Sequence, residues 1–299
     1  MQLNQSPTGA GSSSGEWRID IPGDAAPEVD RLLEARDQRL GSLRCRVRRI
    51  RDKGVLELYI EEGNVFQLAA CKKGKDWLIS EMQQGGMPRK HIARVKTNKD
   101  RSFTCFRERY DGHSSPPELL FVTHATEQLS EDLPELNTMQ LALPRTPLGL
   151  LDAPHGSLRG KMERVVEQRT RADGDLAILQ SRKPKWNART ETYELPFGGR
   201  ANWASARNFQ LVDRDGPADR AVLLYGKMEV RGSGHYLNDS LRALAVHPCV
   251  QPLVVRSRSL TRHAPELIPT SQEDEFALDF AYPLSMLHAL AIILTTWGW

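Results

Sequence analysis

The hydrophobic pattern changes its period near residue 44, which divides the chain into a helical entry and a longer region of strands. Asp24 to Leu40 carries apolar side chains at helical spacing, with Asp24 as candidate N-cap and Gly41 as the stop. We therefore predict an amphipathic helix over residues 24–41. Residues 1–23 are rich in Ser, Gly and Gln and predict a disordered tail. The apolar face of the predicted helix consists of Val29, Leu32, Leu33 and Leu40.

From Arg44 onward, short runs of β-branched and aromatic residues with a period of two predict antiparallel strands. These runs are CRVRRI, VLELYIEE, VFQLAAC, DWLISEM, HIARVKT, SFTCFRERY, LLFVT, DLAILQS, TYELPF, NFQLV and AVLLYGKM. Residues Leu143 to Pro154 interrupt the series and predict a Pro-rich loop. Many short strands without long helices between them favour a mainly β fold, either a sandwich or a closed barrel.

The last segment, PLSMLHALAIIL from Pro283 to Leu294, is apolar nearly all the way round and predicts a helix with Pro283 at its first position. Twelve helical residues rise about 18 Å, which is too short to cross a hydrocarbon core of about 30 Å. A helix without a polar face must be surrounded by protein. We expect His288 to be a hydrogen-bonded core histidine. The expected core aromatics are Trp186, Trp203 and Phe209.

The composition is that of an ordinary globular protein, with 39% apolar and 26% charged residues among 299. No apolar run is long enough to span a bilayer, and the N-terminus lacks the pattern of a secretory signal, so a cytoplasmic or nuclear protein is expected. The cysteines have neither metal-site nor disulfide-framework spacing and are expected to be reduced thiols. They are Cys45, Cys71, Cys105 and Cys249.

Charge is distributed in blocks along the chain. Residues 43–109 contain 17 Lys or Arg against 8 Asp or Glu, whereas residues 110–145 contain one Arg against six acids. The first block therefore suits an anionic partner. The histidines lack metal-ligand spacing, and no nucleophile or carboxylate pair is placed for catalysis, so we expect a protein without enzymatic activity, metal or cofactor.

Three segments resemble the tubby C-terminal domain. KPKWNARTETYELPFGGRANWASARNFQLV, from Lys183 to Val212, resembles the signature W-N, Y-x-L-x-F-x-G-R and A-S-x-K-N-F-Q of that family. DFAYPLSMLHALAIIL, from Asp279, resembles its D-Y-x-Y-P-L-x-x-L-x-A-x-A-I segment, and CRVRRIRDK resembles its opening strand. The resemblance implies a tubby C-terminal domain over residues 44–299. Its fold would be a closed antiparallel β-barrel of about twelve strands around a central hydrophobic C-terminal α-helix.

The stretch 230–272 interrupts this resemblance, because YGKME and EDEFALDF follow each other directly in the family's pattern. The stretch contains five Arg, no Lys and three of the eight His, without a clear strand or helix period. It begins with Val230, whose codons start with GT, and ends with Gln272, for which one codon is CAG. We hypothesise that it is an unspliced intron, and the alternative is a genuine surface loop within a hairpin.

The resemblance also implies a binding site for phosphatidylinositol 4,5-bisphosphate. In the family, a basic hairpin before a Y-L-I-S strand and a basic residue in the following I-G-K-L-R-S strand hold the phosphates. These features correspond here to Lys72, Lys73 and Lys75, with Lys96 in the place of the second-strand Arg. Alternation along a strand predicts that Lys73 and Lys75 converge. Lys at position 96 cannot make a bidentate contact, so weaker or less selective binding is expected.

The resulting functional prediction is a membrane-tethered phosphoinositide-binding adaptor, with a role in receptor or ciliary trafficking or in signalling. It would be a monomer that binds the inner leaflet without spanning it and that carries protein cargo. Its expected location is the cytoplasm and the plasma membrane, with the cilium or nucleus as further sites. The alternative is a nucleic-acid-binding or transcription-associated regulator that uses the same basic face.

Overall fold

A computed structural model of the chain describes residues 31–81, 91–108, 116–145, 157–172, 174–228, 250–253 and 273–298. Its helices are α1 (Leu158–Glu167) and α2 (Met286–Thr295), and short 3-10 turns lie at Gln38–Leu40 and Glu62–Asn64. The described strands are β1 (Leu43–Ile50), β2 (Val55–Ile60), β3 (Val65–Lys73), β4 (Asp76–Ser80), β5 (Ala93–Thr97), β6 (Phe103–Arg107), β7 (Glu118–Glu127), β8 (Leu136–Pro144), β9 (Leu176–Ser181), β10 (Lys185–Asn187), β11 (Thr192–Pro196), β12 (Phe209–Asp213), β13 (Ala221–Lys227), β14 (Val250–Leu253) and β15 (Glu273–Phe280).

Twelve of these strands close into an antiparallel barrel, in the order β1-β15-β13-β12-β9-β8-β7-β6-β5-β4-β3-β2, and β2 pairs back to β1. Strands β10, β11 and β14 form a separate small sheet. Closure leaves the barrel without an unpaired edge. The predicted fold class, a closed barrel of about twelve strands with a C-terminal helix, is confirmed.

Helix α2 lies inside the barrel and forms the centre of the core. Leu287, Leu290 and Ile293 are at most 1% exposed, and they belong to one apolar cluster with inward-facing strand residues such as Val47 and Leu141. Each fully buried side chain of this size contributes about 1.5–3 kcal/mol of transfer free energy. The strands alternate apolar and polar positions because their inner face surrounds this helix. No helix in the described ranges is both long and apolar enough to cross a bilayer.

Helix α2 begins later than predicted. Pro283 precedes the helix, and Ser285 is the N-cap. The Ser285 hydroxyl accepts the His288 backbone N–H at 3.1 Å, while the Ser285 backbone N–H donates to His288 Nδ1 at 3.3 Å. This capping box supplies hydrogen-bond acceptors to two backbone N–H groups at the start of the helix, which have no acceptor within the helix itself. His288 is 6% exposed and hydrogen-bonded, as expected of a core histidine.

The entry helix ends earlier than predicted. Residues 31–33 are helical, and Leu32 and Leu33 pack into the core, whereas the positions predicted for its start lie outside the described residues. The helix does not continue to Leu40, which is 62% exposed. The chain leaves the helix because the Arg36 backbone N–H donates to the Leu284 carbonyl at 2.9 Å. The predicted tail, residues 1–23, also lies outside the described residues.

Three further expectations differ from the structure. Leu143 and Pro144 belong to strand β8 and not to the predicted loop, because their backbone pairs with β9. Helix α1 was absent from the prediction, and its Leu158 and Met162 pack on the outer face of the barrel. Trp203 is 39% exposed and is therefore not a core aromatic.

Strands β13 and β15 are neighbours in the barrel, although 45 residues separate Lys227 from Glu273 in the sequence. Lys227 lies opposite Phe276, and the Met228 backbone N–H donates to the Glu275 carbonyl at 2.9 Å. Within the predicted insert 230–272, only β14 is described, and it pairs with β11 outside the barrel. The ladder between β13 and β15 therefore contains no residue of the insert.

Candidate functional site

Two hairpin turns lie side by side at the end of the barrel where helix α2 ends, which we call the barrel mouth. Gly74 and Lys75 connect β3 to β4, and residues 98–102 connect β5 to β6. Gly74 has a φ of 61°, a conformation that glycine adopts at little cost. The Thr97 hydroxyl donates to the Lys75 carbonyl at 2.7 Å, and the Thr97 backbone N–H donates to Asp76 Oδ1 at 3.2 Å. These bonds hold the two turns together.

Six exposed cations surround these turns and define the basic rim. None of them forms an ion pair with a described residue. The basic rim consists of Lys72, Lys73, Lys75, Lys96, Lys99 and Arg101.

Strand register divides the four predicted lysines between two faces of the sheet. Lys73 on β3 lies opposite Asp76 on β4. Trp77 pairs with Val95, so the next position along the same register places Lys96 of β5 opposite Asp76. Residues directly opposite each other point to the same face, so Lys73, Asp76 and Lys96 all lie on the outer face. Lys72 lies opposite Trp77, which faces the core, and its ammonium is 5.9 Å from the Trp77 ring centroid. Lys72 therefore lies on the inner face.

The predicted strand alternation of Lys73 with Lys75 is wrong. Strand β3 ends at Lys73, and Lys75 lies in the turn, so alternation does not relate their side chains. Lys75 instead lines a cleft at the barrel mouth together with Lys72.

Sequence reasoning missed two members of the basic rim. Lys99 and Arg101 lie in the β5–β6 turn, inside the basic segment that the sequence indicated but outside the four named residues. Their signal is the run NKDR directly after a strand, which is a typical charged turn. Arg94 was missed as well, but it is ion-paired with Glu108 at 2.7 Å and is therefore less available to a ligand than the rim cations.

The cleft at the barrel mouth has a volume of about 1610 Å³. Lys72, Lys75, Lys99 and Arg101 line one side. Its lining also includes His124, whose Nε2 lies 2.9 Å from the Thr295 hydroxyl at the end of α2. Burial lowers the pKa of His124 to about 4, so the ring is neutral at pH 7. The positive charge of the cleft therefore comes from its lysines and arginines.

Trp297 closes the core beneath the cleft. The guanidinium carbon of Arg207 is 4.0 Å from the centroid of the Trp297 ring, and that of Arg49 is 4.3 Å from it. Phe276 meets the same ring edge to face at 5.7 Å. Such cation–π contacts contribute about 0.5–2 kcal/mol each. They attach the end of α2 to β1 and to the segment before β12.

The residues of the family signature have structural contacts. Arg200 is ion-paired with Asp279 and Glu61. The Asn208 amide donates to the Trp203 carbonyl at 2.8 Å and accepts the Lys227 backbone N–H at 2.8 Å. Because these side chains bind the barrel itself, the signature marks the fold and the basic rim is the candidate site.

The described residues contain no group of three His, Cys, Asp or Glu side chains arranged to hold a metal ion. Cys45, Cys71 and Cys105 are free thiols, and Cys249 lies outside the described residues. Burial raises the pKa of Cys45 to about 12 and raises that of Cys105 as well. Both thiols are therefore protonated at pH 7 and are poor nucleophiles.

Comparisons with known proteins agree on one family. A Tub family model matches residues 33–232. The chain is 25% identical over 285 positions to Tubby-related protein 1 of Homo sapiens, covering 85% of this chain and 43% of that protein. It is 26% identical over 216 positions to human Tubby-related protein 3, covering 62% of this chain and 47% of that protein. It is 25% identical over 331 positions to Tubby-related protein 2 of Mus musculus, covering 98% and 49%. The matched region spans less than half of each relative.

Proposed function

The chain belongs to the Tub family, and on that premise we propose that it is a non-enzymatic adaptor that binds phosphatidylinositol 4,5-bisphosphate through its basic rim. The observation that carries this proposal is the position of Lys73 and Lys96 on one outer face, with Lys75 at the adjoining turn. Three lysines that form no ion pair with a described residue can surround one phosphorylated headgroup from two sides.

The chemistry of the outer face suits a headgroup with several phosphates. Lysine binds phosphate as a compact point charge with three donors, so its geometry tolerates different phosphate positions. The Asp76 carboxylate between Lys73 and Lys96 accepts the Thr97 backbone N–H, which gives it a local partner. Each basic residue near an anionic surface contributes about 1 kcal/mol, so three produce reversible attachment that weakens with salt.

We propose further that the chain acts as a monomer at the cytoplasmic face of the plasma membrane, where it connects the lipid to protein cargo or to a signal. The basic rim would face the bilayer and leave the opposite end of the barrel open to a protein. Ciliary and nuclear residence are extensions of the same proposal, and they rest on family membership alone.

Co-sedimentation of the full chain with phosphatidylcholine vesicles, with and without phosphatidylinositol 4,5-bisphosphate, tests the proposal. The double variant Lys73→Ala with Lys96→Ala removes two contacts, so we expect about 30-fold weaker binding to the inositide vesicles. Unchanged binding in this variant, or no preference of the wild type for inositide vesicles, would contradict the proposal.

The matched control is Arg39→Ala with Arg220→Ala, which removes the same charge from exposed positions. Because β12 begins at the mouth with Phe209, the following turn with Arg220 lies at the other end of the barrel. Arg39 precedes β1, whose later residue Arg49 contacts Trp297 at the mouth. The control should bind inositide vesicles as the wild type does. Binding to duplex DNA with a steep salt dependence, without inositide binding, would favour the nucleic-acid alternative.

A further inference from the structure

We propose that the inner side of the basic rim is a second anion site, which binds clustered phosphate groups in the cleft at the barrel mouth. Its ligands are Lys72, Lys75, Lys99 and Arg101, all of which line the cleft. The site faces away from Lys73 and Lys96, which lie on the outer face of the same sheet. The two sites share only Lys75, so the inference goes beyond the headgroup site proposed above, and it does not depend on membrane binding.

The β5–β6 turn keeps its own carboxylate away from the two cations beside it. Asp100 Oδ1 accepts the Ser102 hydroxyl at 2.7 Å and the Ser102 backbone N–H at 3.1 Å, and Asp100 Oδ2 accepts Arg159 Nη1 at 2.6 Å. The Ser102 hydrogen bonds, together with Arg159, lower the pKa of Asp100 to about 2. Lys99 and Arg101 therefore remain uncompensated by the acid between them.

The turn is also held in one conformation. The Asn98 side chain donates to the Ser102 hydroxyl at 2.9 Å and to the Thr104 hydroxyl at 3.0 Å. Arg101 has a φ of 66°, in the left-handed region that turns use. A preorganised turn lowers the conformational entropy that binding must overcome.

The second turn brings its cations to the same cleft. The bond from the Thr97 hydroxyl to the Lys75 carbonyl joins the β3–β4 turn to the end of β5. Lys72 extends over the Trp77 ring, whose face favours a cation. The two turns, together with Lys72 near the end of β3, thus present four cations along one side of the cleft.

The far wall of the cleft completes an electropositive surface. Arg182 and Arg207 lie there, so the described lining contains six cations and one carboxylate, that of Glu135. Arg182 Nη1 donates to Gln210 Oε1 at 3.1 Å, which fixes its direction. Cations on facing walls suit a compact ligand with phosphates on several sides. Phe209 is the one Phe, Tyr or Trp residue in the described lining. A single aromatic side chain of this kind cannot stack the successive bases of a nucleic acid strand.

Isothermal titration of the full chain with inositol hexakisphosphate as a soluble probe tests this site. The double variant Lys99→Gln with Arg101→Gln keeps polar side chains and removes two charges, so we expect Kd to rise about 30-fold. A second variant, Lys72→Gln, acts near the end of β3, leaves Lys75 of the headgroup site unchanged, and should raise Kd about fivefold. The variant Arg39→Gln with Arg220→Gln is the control and should bind as the wild type does.

Vesicles that contain phosphatidylinositol 4,5-bisphosphate form the other arm and identify the source of the phosphates. If both inner variants lose the soluble probe but keep the vesicles, the ligand is a free polyphosphate. If they lose both, and Lys73→Ala with Lys96→Ala still binds the soluble probe, the inner site takes a second lipid headgroup. If Lys73→Ala with Lys96→Ala no longer binds inositol hexakisphosphate while the inner variants bind it as the wild type does, the second site would be overturned. Failure of the wild type to bind vesicles would contradict only the headgroup proposal.

Discussion

Arg200 and Asp279 form a bidentate ion pair, with Arg200 Nε 2.8 Å from Asp279 Oδ2 and Nη2 2.6 Å from Asp279 Oδ1. Arg200 comes from the signature segment after β11, and Asp279 lies on β15 directly before the entry to α2. Glu61, directly after β2, accepts a third contact at 2.8 Å from Arg200 Nη1. One guanidinium thus connects the signature segment to two parts of the barrel that are distant in sequence, the end of β2 and strand β15.

Replacing Arg200 by Met should destabilise the fold. The change leaves the Asp279 carboxylate without its partner at a site where its side chain is 12% exposed. We expect a loss of about 3 kcal/mol in the free energy of unfolding, measured by urea titration. Arg220→Met, at an exposed turn, is the control and should change stability by less than about 0.5 kcal/mol. Equal stability of the two variants would show that the pair does not stabilise the barrel.

Asp274 makes stability depend on acid pH. Burial raises the pKa of Asp274, but hydrogen bonds from Arg51 and the charge of Lys227 outweigh it and lower the value from 3.8 to about 2. The ionised carboxylate therefore stabilises the folded state above pH 3.8, and this contribution disappears as the pH falls to about 2. The gap in unfolding free energy between wild type and Asp274→Asn should narrow over that interval. A constant gap from pH 5 to pH 2 would contradict this account.

Gly226 allows strand β13 to pack closely against Ala201 and Phe197. A Cβ atom at this position would lie 2.3 Å from the Ala201 Cβ and 3.4 Å from the Phe197 ring. Gly226→Ala should therefore cost about 1–3 kcal/mol of stability, measured by thermal unfolding. Adding Ala201→Gly should restore part of the loss, because it removes the clashing atom. A double variant no more stable than Gly226→Ala would exclude this contact as the cause.

Removal of residues 230–272 should leave the barrel folded. Met228 and Glu275 are already bonded across the ladder, so the shortened chain would join β13 to β15 through Glu229, Glu273 and Asp274. Hairpin loops of three residues are common. We expect the shortened protein to melt cooperatively with the far-ultraviolet spectrum of a β-protein. Aggregation of this variant, with a soluble full chain, would instead make the stretch part of the fold.

Transcript sequencing across the Glu229 to Glu273 junction tests the intron hypothesis itself. The hypothesis predicts messages in which the codons of these two residues are adjacent. Abundant messages that contain all 43 codons between them would contradict it and leave the surface-loop alternative.

The barrel was predictable because its signals are local. Strands alternate apolar and polar positions over a few residues, and the wholly apolar α2 required a surrounding shell. Strand β8 was missed because its last residue, Pro144, begins a Pro-rich stretch that resembles a loop. The end of the entry helix was missed because a backbone bond from Arg36 to Leu284 ends it, and no local pattern encodes a contact of that range.

The candidate site was predictable only as a basic segment. The family resemblance identified Lys72, Lys73, Lys75 and Lys96, but the faces they occupy depend on where β3 ends. A turn that begins one residue earlier or later moves Lys75 between sheet and loop. The contribution of Lys99 and Arg101 depends on Asp100 binding Arg159, which is 59 residues away. Long-range neutralisation of this kind leaves no pattern in the local sequence.

A series at position 96 tests the central claim most directly. The full chain is titrated against vesicles containing phosphatidylinositol 4,5-bisphosphate as wild type, Lys96→Arg and Lys96→Ala, at two salt concentrations. A headgroup site on the outer face predicts that Arg, which can bind phosphate in bidentate fashion, strengthens binding and that Ala weakens it about fivefold. The differences should shrink at high salt. Equal affinity of all three proteins would contradict the assignment of Lys96, and with it the headgroup site proposed for this barrel.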